Sequence, residues 1–298
     1  MVRLGLCRMF VSQPIKFRTT TAAYIKRLGR LEQLQKISTL CLENALALYK
    51  SIEYCAAQHI GCFRVNSQFW PVKTHPDVGY EFADLPGAGE IKKILLECRK
   101  RALALNIRLS FHPDQFVLLS TAKTDVLRNS VDELEYHTEV SEIIGADVIN
   151  IHAGGGYGDK PSALRRMGSV IRKLKKTVRS RLSVENDDRV YTPRDLLPFC
   201  EEYDIPLAYD VHHHRCLPDG LSVKQVTDAA IKTWDREPLF HISSPRDGWR
   251  GGKTLRHHDY IDIRDFPSEW GSLNITVEVE AKAKELSVLR LYNQMQKL

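Results

Sequence analysis

Several short apolar runs end in a residue that can bind a metal ion. His112 follows Leu109-Ser110-Phe111, His152 follows Ile149-Asn150-Ile151, and Glu185 follows Leu182-Ser183-Val184. Asp210 follows Leu207-Ala208-Tyr209, His241 follows Pro238-Leu239-Phe240, and Glu280 follows Val277-Glu278-Val279. Imidazole and carboxylate together suit first-row divalent ions such as zinc, manganese or iron. One such histidine is most often a hydrogen-bonded structural residue, and one buried carboxylate often just pairs with lysine. Recurrence at successive runs points instead to a shared site, with donors enough for two or three ions. Clustered divalent ions neutralise an anionic substrate and acidify water, which is the chemistry of hydrolysis. Glu185 and Asp210 have the charge to bridge ions. Glu280 suits either a ligand or a group that orients the attacking water.

Two histidine clusters leave choices open. In Asp210-Val211-His212-His213-His214, a residue three after a strand-end Asp210 turns back toward the centre, which favours His213. His212 and His214 then point away or contact substrate. In His257-His258-Asp259, either histidine is a candidate, and a His257–Asp259 pair would let one residue bind while the other orients it.

These residues need a scaffold that brings many chain segments to one place. Apolar runs at 3–7, 60–65, 107–111, 148–151, 182–184, 207–209, 239–240 and 275–279 read as buried parallel strands. Amphipathic stretches at 27–58, 90–105, 125–144, 162–180, 192–203 and 223–233 read as helices between them. Lys160-Pro161 and Thr192-Pro193 are helix-entry signals. Strand–helix alternation over eight runs predicts a single (β/α)8 TIM barrel, spanning 1–298, with the metal site at its C-terminal face. No glycine-rich phosphate fingerprint follows the first strand, which disfavours a Rossmann sheet. The loops at 70–89 and 246–256 are long enough to be functional.

Composition excludes several classes. The 298 residues are 43% hydrophobic, with a net charge of +6, and seven cysteines are scattered without a C-x-x-C pair. A disulfide framework or zinc ribbon is not expected. No apolar run approaches the roughly 20 residues of a membrane span, and the chain opens without a secretory signal, so the expected location is cytoplasmic. The mild positive charge permits a polyanionic partner. Arg246, Arg250, Lys253 and Arg256, interleaved with Trp249, are candidates for backbone contacts to nucleic acid, against the alternative of a plain solvated loop. Lys282 and Lys284 either approach a phosphate or balance Glu278 and Glu285. The basic run 172–176 reads as the exposed face of an outer helix.

The motifs in order resemble the UV damage endonuclease family, relatives of the endonuclease IV type of TIM-barrel DNA-repair nuclease. The likeness runs from Arg3-Leu4-Gly5 through Phe63-Arg64-Val65-Asn66-Ser67, Thr74-His75-Pro76, His112-Pro113-Asp114-Gln115-Phe116 and Asn150/His152/Gly154-Gly155. It continues through Glu185-Asn186-Asp187, Asp210 to His214, His241-Ile242-Ser243-Ser244 and His257 to Tyr260, and ends at Glu280-Ala281-Lys282-Ala283-Lys284-Glu285. Carried over position by position, it implies metal ligands at His75, His112, His152, Glu185, Asp210, His213, His241, His257 and Glu280. It implies manganese, with zinc the alternative, double-stranded damaged DNA as partner, and no obligate protein partner. The implied product is a nick immediately 5′ of the lesion, with 3′-hydroxyl and 5′-phosphate ends. Gln115 and Phe116 match the family's probing pair, usually Gln with Tyr. The chain departs from the family at Leu6, often Tyr, and at Leu239, where some members carry a modified lysine.

Recognition of this kind reads deformability, because damaged steps kink and unstack more cheaply, and a side chain must fill the gap left behind. Three other classes compete: an endonuclease IV-like abasic-site nuclease, a metal-dependent sugar isomerase or epimerase, and a non-catalytic damage sensor. The epimerase would need fewer ions and neither a basic rim nor a probe loop.

Overall fold

Eight strands form the inner wall: β1 (Arg3–Cys7), β2 (Cys62–Val65), β3 (Arg108–Phe111), β4 (Val148–His152), β5 (Leu182–Glu185), β6 (Leu207–Ala208), β7 (Leu239–Ile242) and β8 (Thr276–Val279). The structure is a computed structural model that describes residues 2–297. Met1 and Leu298, the ends of the expected domain, lie outside the described residues. The sheet order is β6-β5-β4-β3-β2-β1-β8-β7, and every pairing is parallel. A parallel bridge between Asp210 and His241, with His241 N–H donating to Tyr209 O at 2.9 Å, ties the two ends together. Two expected ligands therefore sit on the seam that closes the barrel, and the fold is the (β/α)8 TIM barrel.

Helices α1 (Ala22–Ile25), α2 (Arg30–Ala57), α3 (Ala88–Ala104), α4 (Thr124–Ile144), α5 (Lys160–Lys173), α6 (Lys176–Arg179), α7 (Pro193–Tyr203), α8 (Val211–Cys216), α9 (Val223–Lys232) and α10 (Glu285–Met295) lie in the connections. Strands such as β2, β5, β7 and β8 are buried along their whole length. Helices cover their outer side chains and the barrel's own layers fill the inside, so even polar residues on these strands, such as Arg64, Ser183 and Glu278, are removed from water. Thr192 and Asp195 form a capping box that starts α7, and the Asp210 side chain accepts from His213 N–H to start α8.

Three elements differ from the sequence reading. The expected helix 162–180 is broken, because Leu174 is extended with ψ 148° and separates α5 from α6. Helix α10 was not anticipated; it packs a face that includes Val288 and Leu291 into the core. The connection from β7 to β8 holds only short 3-10 turns at Ile263–Asp265 and Ser268–Ser272. Among the described residues no helix is long and apolar enough to cross a membrane. All seven cysteines are free, as the scattered spacing implied.

Candidate metal centre

Strand ends deliver His112, His152, Glu185, Asp210, His241 and Glu280 to one mouth of the barrel, and α8 adds His213. They fall into three groups: His112/His152/Glu185, His112/His241/Glu280, and Glu185/Asp210/His213, with the donor atoms of each within 4.8 Å of one another. The groups share His112 and Glu185. Glu185 is the hub: Oε2 lies 2.9 Å from His112 Nε2 and accepts from Asn150 Nδ2 at 2.6 Å. Its Oε1 lies 3.3 Å from His213 Nδ1 and 3.2 Å from His241 Nδ1. Helix α8 carries His213 inward because its cap is Asp210 itself, whose backbone exchanges two hydrogen bonds with the Asn186 side chain at 2.9 Å.

Several donor atoms in this cluster are buried without a hydrogen-bond partner: Glu185 Oε1, Asp210 Oδ2, His152 Nδ1, and both ring nitrogens of His241. The contacts to His241 are close but not aligned as hydrogen bonds. A buried polar atom left in that state costs about 1–3 kcal/mol. Divalent cations among these atoms would satisfy them, and imidazole with carboxylate is a fitting donor set. The residues present thus fit a metal centre.

Charge points the same way. Burial pushes the Glu185 carboxyl up, but His241, His152, His112 and His213 outweigh it and hold it well below the usual range. Burial lowers His241 and His213, yet Glu185, Glu278 and Glu280 drive His241, and Asp210 and Glu185 drive His213, well above the usual histidine range. The buried carboxylates thus favour positive charge at this site, which divalent cations would supply. His152 moves the other way: burial dominates and favours its neutral, ligating form.

A second polar layer lies directly beneath the ligands. Side chains in a strand alternate, so the residue two before each ligand faces the same interior. Ser110 donates to Glu278, Ser183 donates to Asn150 Oδ1 at 2.9 Å, and Asn150 donates to Glu185. Glu278 also meets Arg64 Nη1 at 3.1 Å and His241 Nε2 at 3.2 Å. The same Arg64 nitrogen lies 2.6 Å from Glu280 Oε1. Burial raises the Glu280 carboxyl, but Arg64 and His241 hold it well below the usual range. A carboxylate so firmly ionised serves as an anionic ligand or hydrogen-bond acceptor rather than as an acid. The sequence reading placed none of Arg64, Glu278 and Asn150 in the site: Arg64 and Asn150 entered only within motifs, and Glu278 only as a charge for Lys282 or Lys284 to balance. Counting back two residues from each strand-end ligand would have found Asn150 and Glu278. Gly5, opposite Glu278 in register, leaves the room: a Cβ there would stand 3.2 Å from Glu278 Cγ. In the same layer Leu239 is apolar and packs with Val148, Ala208 and Trp234.

The remaining expected residues fall outside the three groups. His257 Nδ1 is 3.8 Å from Glu280 Oε2, at the edge of the cluster. No contact joins His257 to Asp259 among the described residues, so the expected His–Asp pair is replaced by His257 and Glu280. His258 is exposed and its Nδ1 accepts from Tyr260 N–H. His214 is held between Tyr209 at 2.8 Å and Asp219 at 3.0 Å and faces away from the centre, whereas His212, which approaches Cys216 and Trp249, packs its ring 5.3 Å from that of His257 beside the cluster. His75 lies in the 70–89 loop, where its Nδ1 accepts from Asp77 N–H; no group includes it.

On the rim, Gln115 is exposed and Phe116 is 76% exposed. Arg250, Lys253 and Lys282 are exposed. Trp249 is anchored: Nε1 donates to Asp265 at 2.7 Å and the ring lies 5.2 Å from His212. Glu278 is balanced by Arg64 and His241, and Glu285 accepts from the backbone of Val11 and Ser12, so Lys282 and Lys284 are not their counter-charges.

The family profile of UV-endonuclease UvdE matches residues 2–298. The chain is 32% identical over 292 residues to the UV DNA damage endonuclease of Bacillus velezensis, covering 93% of this chain and 88% of that protein. It superposes on the crystal structure of SacUVDE with a TM-score of 0.88 at 27% identity, covering 100% of this chain and 99% of that one. Endonuclease IV from Thermus thermophilus superposes with a TM-score of 0.60 at 16% identity, over 84% of this chain and 94% of that one, a likeness of fold alone.

Proposed function

The chain belongs to the UV-endonuclease UvdE family, and from that premise we propose that it is a metal-dependent endonuclease that nicks duplex DNA immediately 5′ of UV photoproducts. The observation that carries this reading is the cluster of unpartnered donor atoms around Glu185, whose neighbours His112, His152 and Glu280 line one cavity with the exposed Gln115–Phe116 pair. The proposed unit is a single domain over 1–298, and the proposed ions are two or three manganese, with His112, His152, Glu185, Asp210, His213, His241 and Glu280 as the inner donors. His257 and the loop residue His75 complete the set as outer donors.

Bound ions would neutralise the phosphodiester's charge and acidify water at neutral pH. The chain's own residues set the geometry. Glu185, present in two of the three groups and 3.2 Å from His241 of the other, fixes their spacing. Arg64 keeps Glu280 ionised and aimed at the mouth. Asn150 and Asn186 hold Glu185 and Asp210 in place. The face of Phe116 offers a stacking surface to a disrupted base step, and Gln115 beside it offers amide hydrogen bonds. Trp249, Arg250, Lys253 and Lys282 supply contacts along the rim, which position the duplex without reading its sequence.

The test is a labelled duplex carrying one defined photoproduct, incubated with the protein and Mn²⁺. The expected product is one nick at the 5′ side of the lesion, with 3′-hydroxyl and 5′-phosphate ends. An intact duplex, or cleavage confined to abasic sites, would refute the reading.

A further inference from the structure

Arg8 is the first residue after β1. Alternation along the strand turns Gly5 toward Glu278 and would turn Arg8 away from the interior. Its backbone instead adopts φ 71°, in the left-handed region, with its N–H donating to Arg64 O at 2.9 Å. A non-glycine residue is held there only when its surroundings over-determine it, and such residues gather at functional sites. Arg8 consequently lines a cavity of about 430 Å³ together with Arg64, His112, His152, Gln115, Phe116 and Glu280. That cavity lies between the candidate ligands and the probe pair.

Arg8 has no partner. Its Nε is shielded from solvent and makes no hydrogen bond, and no carboxylate pairs with it among the described residues. Other arginines on the barrel strands are all matched: Arg3 with Glu237 at 2.9 Å, Arg64 with Glu280, and Arg108 with Asp147 at 2.9 Å. The two carboxylates that line this cavity are engaged elsewhere, Glu280 by Arg64 and Asp114 by the Ser67 hydroxyl at 3.3 Å. A guanidinium in this position lacks only an anion, and its planar fork of donors suits the two non-bridging oxygens of a phosphodiester.

We infer that Arg8 binds a DNA phosphate next to the scissile one, gripping the strand between the metal centre and Phe116. This rests on the nuclease reading above. It adds a positional claim: one specific linkage beside the cut must be anionic for Arg8 to act.

Neutral methylphosphonate linkages, placed singly at each position around the photoproduct, test this with wild type and Arg8→Gly. Glycine is the appropriate variant because it relieves the left-handed backbone while removing the guanidinium. It should melt at or above wild type with unchanged metal content by mass spectrometry. The loss of one charge-assisted contact should lower kcat/KM by about ten- to a hundred-fold. Neutralising one linkage flanking the cut should cost wild type a similar factor and cost Arg8→Gly nothing further. Binding of lesion duplex by Arg8→Gly should also lose about one unit of salt slope. A wild type that nicks but shares its linkage profile with Arg8→Gly overturns this inference alone. A wild type that leaves the lesion duplex intact removes the nuclease reading, and this inference with it.

Discussion

Replacing Arg64 with methionine should destabilise the metal-free protein sharply. Arg64 Nη1 stands 2.6 Å from Glu280 and 3.1 Å from Glu278, and all three side chains are largely removed from water. Methionine keeps an unbranched stem but leaves His241 alone to balance two buried carboxylates that Arg64 had also paired. Removing one partner of a buried ion pair costs about 3–5 kcal/mol, because the remaining charge is uncompensated. For a chain of this size, that loss should lower the melting temperature by about 6–10 °C. Thermal and urea unfolding in chelator is the assay, since bound cations would stand in for the guanidinium. The double variant Arg64→Met/Glu278→Gln should recover part of the loss, with a coupling of roughly 1–3 kcal/mol. A single-variant loss below about 1 kcal/mol, or no recovery in the double variant, would refute the view that Arg64 neutralises these carboxylates.

Three further outcomes are expected. Removing metal should lower both the melting temperature and nicking, because ions bind only the folded arrangement; saturation at a hundred times Kd contributes about 2.7 kcal/mol per site. The effect should depend on pH. In chelator, the raised His213 and His241 contribute stability that is fully present below about pH 6.5 and lost as pH rises through their folded values. Metal instead needs their neutral forms, so the gap in melting temperature between Mn²⁺ and chelator should widen from pH 6 to pH 8, and a constant gap would argue against these two as ligands. Glu280→Gln keeps the size but removes charge; turnover should fall by at least about a hundred-fold, with lesion-duplex binding largely kept, as gel shift and single-turnover nicking would show. Phe116→Ala should weaken binding to photoproduct duplex by about ten- to a hundred-fold while leaving intact-duplex affinity and metal content unchanged, and equal losses on both duplexes would assign Phe116 to loop support.

The barrel was legible because its strands are short, largely apolar and separated by helical stretches, and because a ligand-type residue stands at the point where each of six turns from buried wall to open mouth. Asp210 and His241 stand at strand ends, whereas His213 was readable only as the residue three after Asp210, on the first turn of α8. Arg64 was not, since its partner Glu280 lies 216 residues away and nothing local marks a charged residue between Phe63 and Val65 as paired. The break at Leu174 was hidden by a helical pattern of apolar residues that runs through it. Helix α10 was missed because the carboxylate and lysine cluster at 280–285 drew the reading to chemistry, while its apolar positions continue to Leu291. Arg8 was invisible for a different reason: only the backbone's left-handed turn places it in the cavity, and no residue type at that position announces such a turn.

The shared metal centre is tested most directly by anomalous scattering from crystals grown with Mn²⁺, recorded on both sides of the manganese edge. The expected result is two or three anomalous peaks within the groups His112/His152/Glu185, His112/His241/Glu280 and Glu185/Asp210/His213, with Glu185 in contact with more than one. Absence of peaks there at saturating metal, or a lone peak in the 70–89 loop away from Glu185, would contradict the metal-dependent mechanism.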